Sequence, residues 1–187
     1  RFILEPRVES MKRKFGLIVA SVSVALACIL AFAGCSFFQA QEKTFEKEGM
    51  SITLNTSFVE KEIEGQTVYY ESLKAIATAL KEEFTMLAGL ADYSLEKYTD
   101  LTISGNHLSA KAEYREGHDY MYFSYQKNVS GNTFYYLATT HKMSDAFWLI
   151  QFACLADEKD KYFEQFLSWA DTVTDLHQAP DVPEILV

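Results

Sequence analysis

The chain has 187 residues, of which 49% are hydrophobic and 14% aromatic, and a formal net charge of −9. The first 34 residues hold five basic and two acidic groups, so residues 35–187 carry 12 basic groups against 24 acidic ones, a net charge near −12. Such a surface argues against nucleic acid as a partner, because that binding needs cations to displace counterions. It equally disfavours adhesion to anionic lipid, and it permits a cationic partner or a metal ion without implying either.

Residues 1–10 begin with Arg1 and precede Met11, so they read as an upstream extension outside the fold. Lys12, Arg13 and Lys14 form a cationic stretch of the kind that stays on the cytoplasmic side of a membrane. Residues 15–33 are uncharged and rich in Val, Ala, Leu and Ile, as the apolar core of an export signal must be. Small residues at Ala33 and Gly34 open the backbone to a peptidase, and Cys35 follows directly. Phe32-Ala33-Gly34-Cys35 resembles the lipobox of bacterial lipoproteins, with Phe32 where Leu is usual. The resemblance implies a diacylglycerol on the Cys35 thiol and cleavage between Gly34 and Cys35. One acyl chain holds a membrane only marginally, whereas two or more anchor it stably. The alternative is an uncleaved transmembrane helix, since roughly 20 apolar residues span the hydrocarbon. Both readings give an extracytoplasmic domain tethered at its N-terminus. The expected organisation is a signal peptide over 11–34, an anchor and spacer over 35–43, a globular domain over 44–175 and a tail over 176–187.

Within the domain, Met50, Ile52 and Leu54 alternate with Ser51 and Thr53, the period of a half-buried strand. Asn55-Thr56-Ser57 has turn chemistry, which predicts a hairpin into Phe58-Val59. A second turn at Glu64-Gly65-Gln66 leads to the strand Thr67 to Tyr70. Lys74 to Phe84 carries both signals: its composition favours helix, while Ile76, Thr78 and Leu80 share one face of a strand. Ser94 caps a helix to Ile103, stopped by Gly105 and Asn106. Three strands follow at Leu108–Arg115, Tyr120–Lys127 and Thr133–Thr140, with short links that predict antiparallel hairpins. Ala146 to Ala156 is apolar except for Gln151, so both faces of this strand must be covered. Glu158 to Val173 repeats apolar residues at helical spacing, with Asp157 as the expected cap and Asp160 in the first turn. The end of the chain, with Pro180 and Pro183, reads as a poorly ordered tail.

This order resembles the PsbP-like α/β/α sandwich, in particular small bacterial lipoproteins of that type. The residues that carry the resemblance are Phe45 to Leu54, Phe134-Tyr135-Tyr136-Leu137, Asp145-Ala146-Phe147-Trp148, and the helix with Phe166 and Trp169. It implies an α+β fold, an antiparallel sheet with helices on both faces, and it favours strand for 74–84. It also implies a largely non-enzymatic role, as an extrinsic accessory or binding domain on a membrane complex.

No constellation in the sequence points to an active site. His107, His118, His141 and His177 include no pair at helical metal spacing. His118-Asp119 falls in a predicted turn, and Glu82-Glu83 reads as an exposed edge. Asp157, Asp160 and Glu164 lack the central glycine of a calcium loop. Cys154 lies in an apolar run and reads as a buried, inert thiol, the last cysteine once Cys28 leaves with the signal and Cys35 is acylated. Asn55-Thr56-Ser57 and Asn128-Val129-Ser130 match glycosylation sequons but read as turns. The remaining signal is aromatic: Tyr120, Tyr122 and Tyr135 on neighbouring strands either pack across the core or form a partly exposed face for a protein, glycan or peptide. The expectation is therefore a lipid-anchored, non-enzymatic binding or accessory domain without cofactor or metal. It is held to the membrane through its lipid and partnered by a membrane protein. The alternatives are a carrier of a small apolar or peptide ligand, a single-pass membrane protein with the same outer domain, and a hydrolase.

Overall fold

The computed structural model describes residues 41–86 and 88–178. The signal segment, Gly34, Cys35 and the tail from 179 lie outside the described residues. The elements are β1 (Glu42–Lys47), β2 (Met50–Asn55), β3 (Val59–Glu60), β4 (Val68–Glu71), β5 (Ala75–Glu83), α1 (Leu95–Gly105), β6 (Glu113–Tyr114), β7 (Tyr120–Val129), β8 (Asn132–Lys142), β9 (Ala146–Leu155), α2 (Lys159–Ala170) and β10 (Thr174–Asp175). They make a sheet-rich α+β molecule. A seven-stranded sheet has the order β3-β4-β5-β9-β8-β7-β6, and a three-stranded sheet the order β1-β2-β10. Every pairing in both is antiparallel.

The apolar run of β9 takes the centre of the large sheet, paired along its length with β5 and β8. Its alternate residues feed opposite faces. Trp148, Ile150, Phe152 and Cys154 join one core, which the β1–β2 hairpin and α2 cover with Phe45, Ile52, Leu54, Phe166 and Trp169. Phe166 stacks on Phe152 with ring centroids 5.3 Å apart, and Trp169 meets Phe58 edge-on at 5.1 Å. On the other face Tyr98 of α1 stacks on Phe147 at 4.2 Å, and Ile103 and Leu108 pack with Phe123, Ala138 and Leu149. α1 reaches one end of this face. The cluster at the other end, Tyr69, Ile76, Phe134, Tyr136 and Ala153, includes no residue of the described helices.

The 74–84 segment is the strand β5, and Ser94 caps α1 by accepting from the Lys97 N–H at 3.3 Å. Four expectations change. The first hairpin turns at Glu48-Gly49, not at Asn55-Thr56-Ser57, with Lys47 opposite Met50. Both turn residues have positive φ, +52° and +91°, a type I′ turn whose twist matches the strands. A Cβ on Gly49 would also lie 2.1 Å from the His177 ring. The chain beyond Asn55 leaves for the other sheet as β3. The predicted strand Leu108–Arg115 shrinks to the two residues of β6, because Leu108, Ala110 and Ala112 pack onto the sheet face and do not extend its edge. Asp157 does not cap α2; a 3-10 turn, Ala156–Glu158, leads into the helix, and Glu158 occupies the cap without a side-chain bond. Finally, β1 begins at Glu42, and Leu176, just after β10, is tied down, its N–H donating to Gly49 O at 2.8 Å.

Trp148 and Phe166 are fully buried. Replacing either by alanine is expected to cost about 3–5 kcal/mol, as truncated core aromatics do, read from the denaturant midpoint.

Candidate functional site

The expected tyrosine face is built differently from the sequence reading. Tyr120, Tyr122 and Tyr135 share the face of the large sheet that α2 and the small sheet cover. Tyr120 and Tyr135 are buried and Tyr122 is half-buried, so they form core and not an open platform. Tyr135 lies under α2, with the Lys159 ammonium 5.6 Å from its ring. Tyr122 donates to Glu113 Oε2 at 3.3 Å. On the opposite face Tyr125 and Tyr136 stack in parallel at 4.8 Å, and Gln151 Nε2 donates to the Tyr125 hydroxyl at 2.9 Å.

Around Tyr120 the fold assembles a group no sequence spacing announced. Asp171, at the C-terminal end of α2, accepts from Arg115 Nε at 3.0 Å and Arg115 Nη2 at 2.8 Å. The Tyr120 hydroxyl donates to Asp171 Oδ1 at 2.6 Å, and His118 Nε2 lies 3.4 Å from the same oxygen. His118 and His141 approach the Tyr120 ring at 5.7 and 4.7 Å. Burial opposes the charge of Asp171, but hydrogen bonds from Arg115 and Tyr120 outweigh it and hold the carboxyl below its ordinary value. Burial, then the Asp171 hydrogen bond, raises the Tyr120 hydroxyl. Burial, reinforced by His118, lowers His141 to about 3, so its ring stays neutral, bonded to Thr139 Oγ1 at 3.0 Å. A carboxylate with both oxygens engaged by a guanidinium is a poor proton acceptor. The chemistry suits a clasp: it fastens the end of α2 to the turn between β6 and β7. His118 therefore meets Asp171, 53 positions away, and not its neighbour Asp119.

Other candidates separate. Glu82 and Glu83 point to opposite faces of β5, and Glu82 is buried, which corrects the reading of both as an exposed edge. Had β5 been read as a strand throughout, Ile76, Thr78 and Leu80 would have placed Glu82 with them on the inward side. Cys154 is buried, and burial, then the nearby Glu158 and Asp157 charges, pushes its thiol up to about 12. Among the described residues no group of three or more His, Cys, Asp and Glu side chains is placed to hold a metal ion. Asn55 and Asn128 serve turns: their Oδ1 atoms accept from Ser57 N at 3.0 Å and Gly131 N at 3.2 Å. A shallow cavity of 420 Å³ lies between Lys47, Lys61 and the loop from Glu62 to Thr67. Its lysines are already paired with Glu60 and Glu71, so neither is a free cation for an anionic ligand.

No protein-family model matches the chain, and no curated protein matches it by sequence. Solved structures do match. The cyanobacterial PsbP of Synechocystis sp. PCC 6803 superposes with a TM-score of 0.56 at 13% identity, over 78% of this chain and 98% of its own. A protein of Bacteroides thetaiotaomicron gives 0.51 at 13% identity, over 72% of this chain and 48% of its own. The fold is PsbP-like. At such identities the likeness concerns architecture, and the roles of residues in this PsbP-like chain rest on its own geometry.

Asp171→Asn is expected to lower stability at pH 7 by about 2–3 kcal/mol, the scale of hydrogen bonds to a charged group. Because the carboxyl sits below its unfolded value of 3.8, that contribution is present above about pH 4 and lost as pH falls further. Urea titrations of both proteins between pH 3 and 7 should show the gap closing towards pH 3.

Proposed function

We propose that this chain is a membrane-anchored lipoprotein whose PsbP-like domain works on the extracytoplasmic side as a non-enzymatic binding or accessory module. The observation that carries the reading is the sequence Phe32-Ala33-Gly34-Cys35 behind a cationic start and an uncharged apolar run. The tether in this reading is the lipid on Cys35. β1 starts seven residues after Cys35, a reach of roughly 25 Å at full extension, which would keep the domain against the headgroups. The acidic surface supports a partner that is a protein and not the anionic bilayer itself. An accessory role accords with the pairing of polar groups within the domain: Asp171 with Arg115 and Tyr120, Lys81 with Asp145.

Metabolic labelling with a fatty-acid analogue tests the anchor. The wild-type protein should take up label and run at the cleaved size. Cys35→Ala should lose the label and accumulate as precursor; unchanged labelling would reject the assignment. Crosslinking the lipidated protein in its own membrane should then recover a stoichiometric membrane-protein partner.

A further inference from the structure

Glu82 is the one acidic side chain that the sheet directs into the apolar layer beneath α1. It is only 7% exposed. Its cross-strand neighbour is Phe147, the ring on which Tyr98 stacks. The Tyr98 hydroxyl lies near the carboxyl and favours its charged form, while Oε2 has no hydrogen-bond partner. Among the described residues no ion pair neutralises it. Lys142 of β8, a basic group on this face, sits over Phe147 and Phe84 at 5.5 and 5.8 Å and donates to the carbonyls of Ala91 and Tyr93 at 2.8 Å each. Lys81 and Glu83 alternate to the other face of β5, where Lys81 pairs with Asp145. On α1 the remaining charged residues, Glu96, Lys97 and Asp100, are exposed, as is Asp92 in the loop before it.

α1 is held lightly. It has 11 residues, too few for a helix to persist off the sheet, and irregular segments flank it on both sides. Its grip includes the Tyr98–Phe147 stack with Leu95 beside it, the 2.6 Å bond between Thr99 and Thr140 hydroxyls, the 2.6 Å bond from the Tyr114 hydroxyl to Glu96, and the contacts of Ile103. An ionised carboxylate below it would be charged, desolvated and half-partnered, an arrangement relieved either by a proton or by admitting water.

We propose that α1 is a proton-gated cover: with Glu82 protonated it seats on the sheet, and ionisation of Glu82 loosens it and uncovers Phe147, Leu149 and Phe123. Burial, partly offset by the Tyr98 hydroxyl, raises the carboxyl from 4.5 to about 7. The closed form therefore keeps its proton between these values while an open, hydrated Glu82 loses it. Closure is strongest below about pH 4.5 and weakens as pH rises towards 7. From pH 6 to pH 8 the closed-to-open ratio should fall roughly tenfold. The gate stands on the geometry of the domain and does not depend on the lipid anchor.

Hydrogen exchange of the full chain, read by mass spectrometry at pH 6 and pH 8 and corrected for intrinsic rates, tests the gate. Peptides over 95–105 should lose protection about tenfold at pH 8 in the wild type and stay level in Glu82→Gln, with peptides over 132–155 unchanged in both. The same pH response in Glu82→Gln, or a loss spread evenly over the strands, would overturn the proposal. Tyr98→Phe keeps the ring stack but removes the hydroxyl that favours the ionised form, so it should move the transition to higher pH. An unmoved transition in that variant would equally overturn it.

Discussion

One apolar ribbon with two sides to hide dictates the architecture. β9 sends Trp148, Ile150, Phe152 and Cys154 one way and Phe147, Leu149 and Ala153 the other. Each large side chain removed from water is worth about 1.5–3 kcal/mol, so neither side can remain wet. β5 and β8 satisfy its backbone along its length. The hairpin, β10 and α2 close one side, and α1 with the stretch after it closes part of the other.

Polar groups then decide how the covers are fastened. Lys81 is nearly buried, yet its ammonium reaches Asp145 at 2.7 Å and the Glu48 carbonyl at 2.9 Å, joining the first hairpin's turn to the turn between β8 and β9. Asp171 does the same for the far end of α2 through Arg115 and Tyr120. A bidentate guanidinium–carboxylate pair fixes geometry as well as distance, which suits the end of a helix that must stay in register with a turn. Glu82 is an exception, a carboxyl placed inward that no cation among the described residues pairs with.

Period-two alternation and caps made much of this legible. The continuous apolar run of β9, the Ser94 cap and the strands β7 and β8 could be read directly, because local pattern and tertiary role agree there. The first hairpin misled because Asn55-Thr56-Ser57 has stronger turn chemistry than Glu48-Gly49, while the sheet needed two left-handed residues in a row. The tyrosines misled because alternation tells which residues share a face but not which face is covered. The Asp171 group was invisible, since its members come from a turn, a strand and a helix end more than 50 positions apart. Glu82 was within reach of the pattern, but its charge weighed against an inward reading.

The order of synthesis gives the chain's last described strand a temporal role. β10 pairs with β2, and Ser51 meets Thr174, Thr53 meets Thr172, across 123 and 119 positions of chain. A nascent polypeptide lacking its final stretch cannot seal the layer formed by its own beginning. Contacts this distant close late and slowly. The small sheet therefore gains its third strand only after residues 174 and 175 have been made.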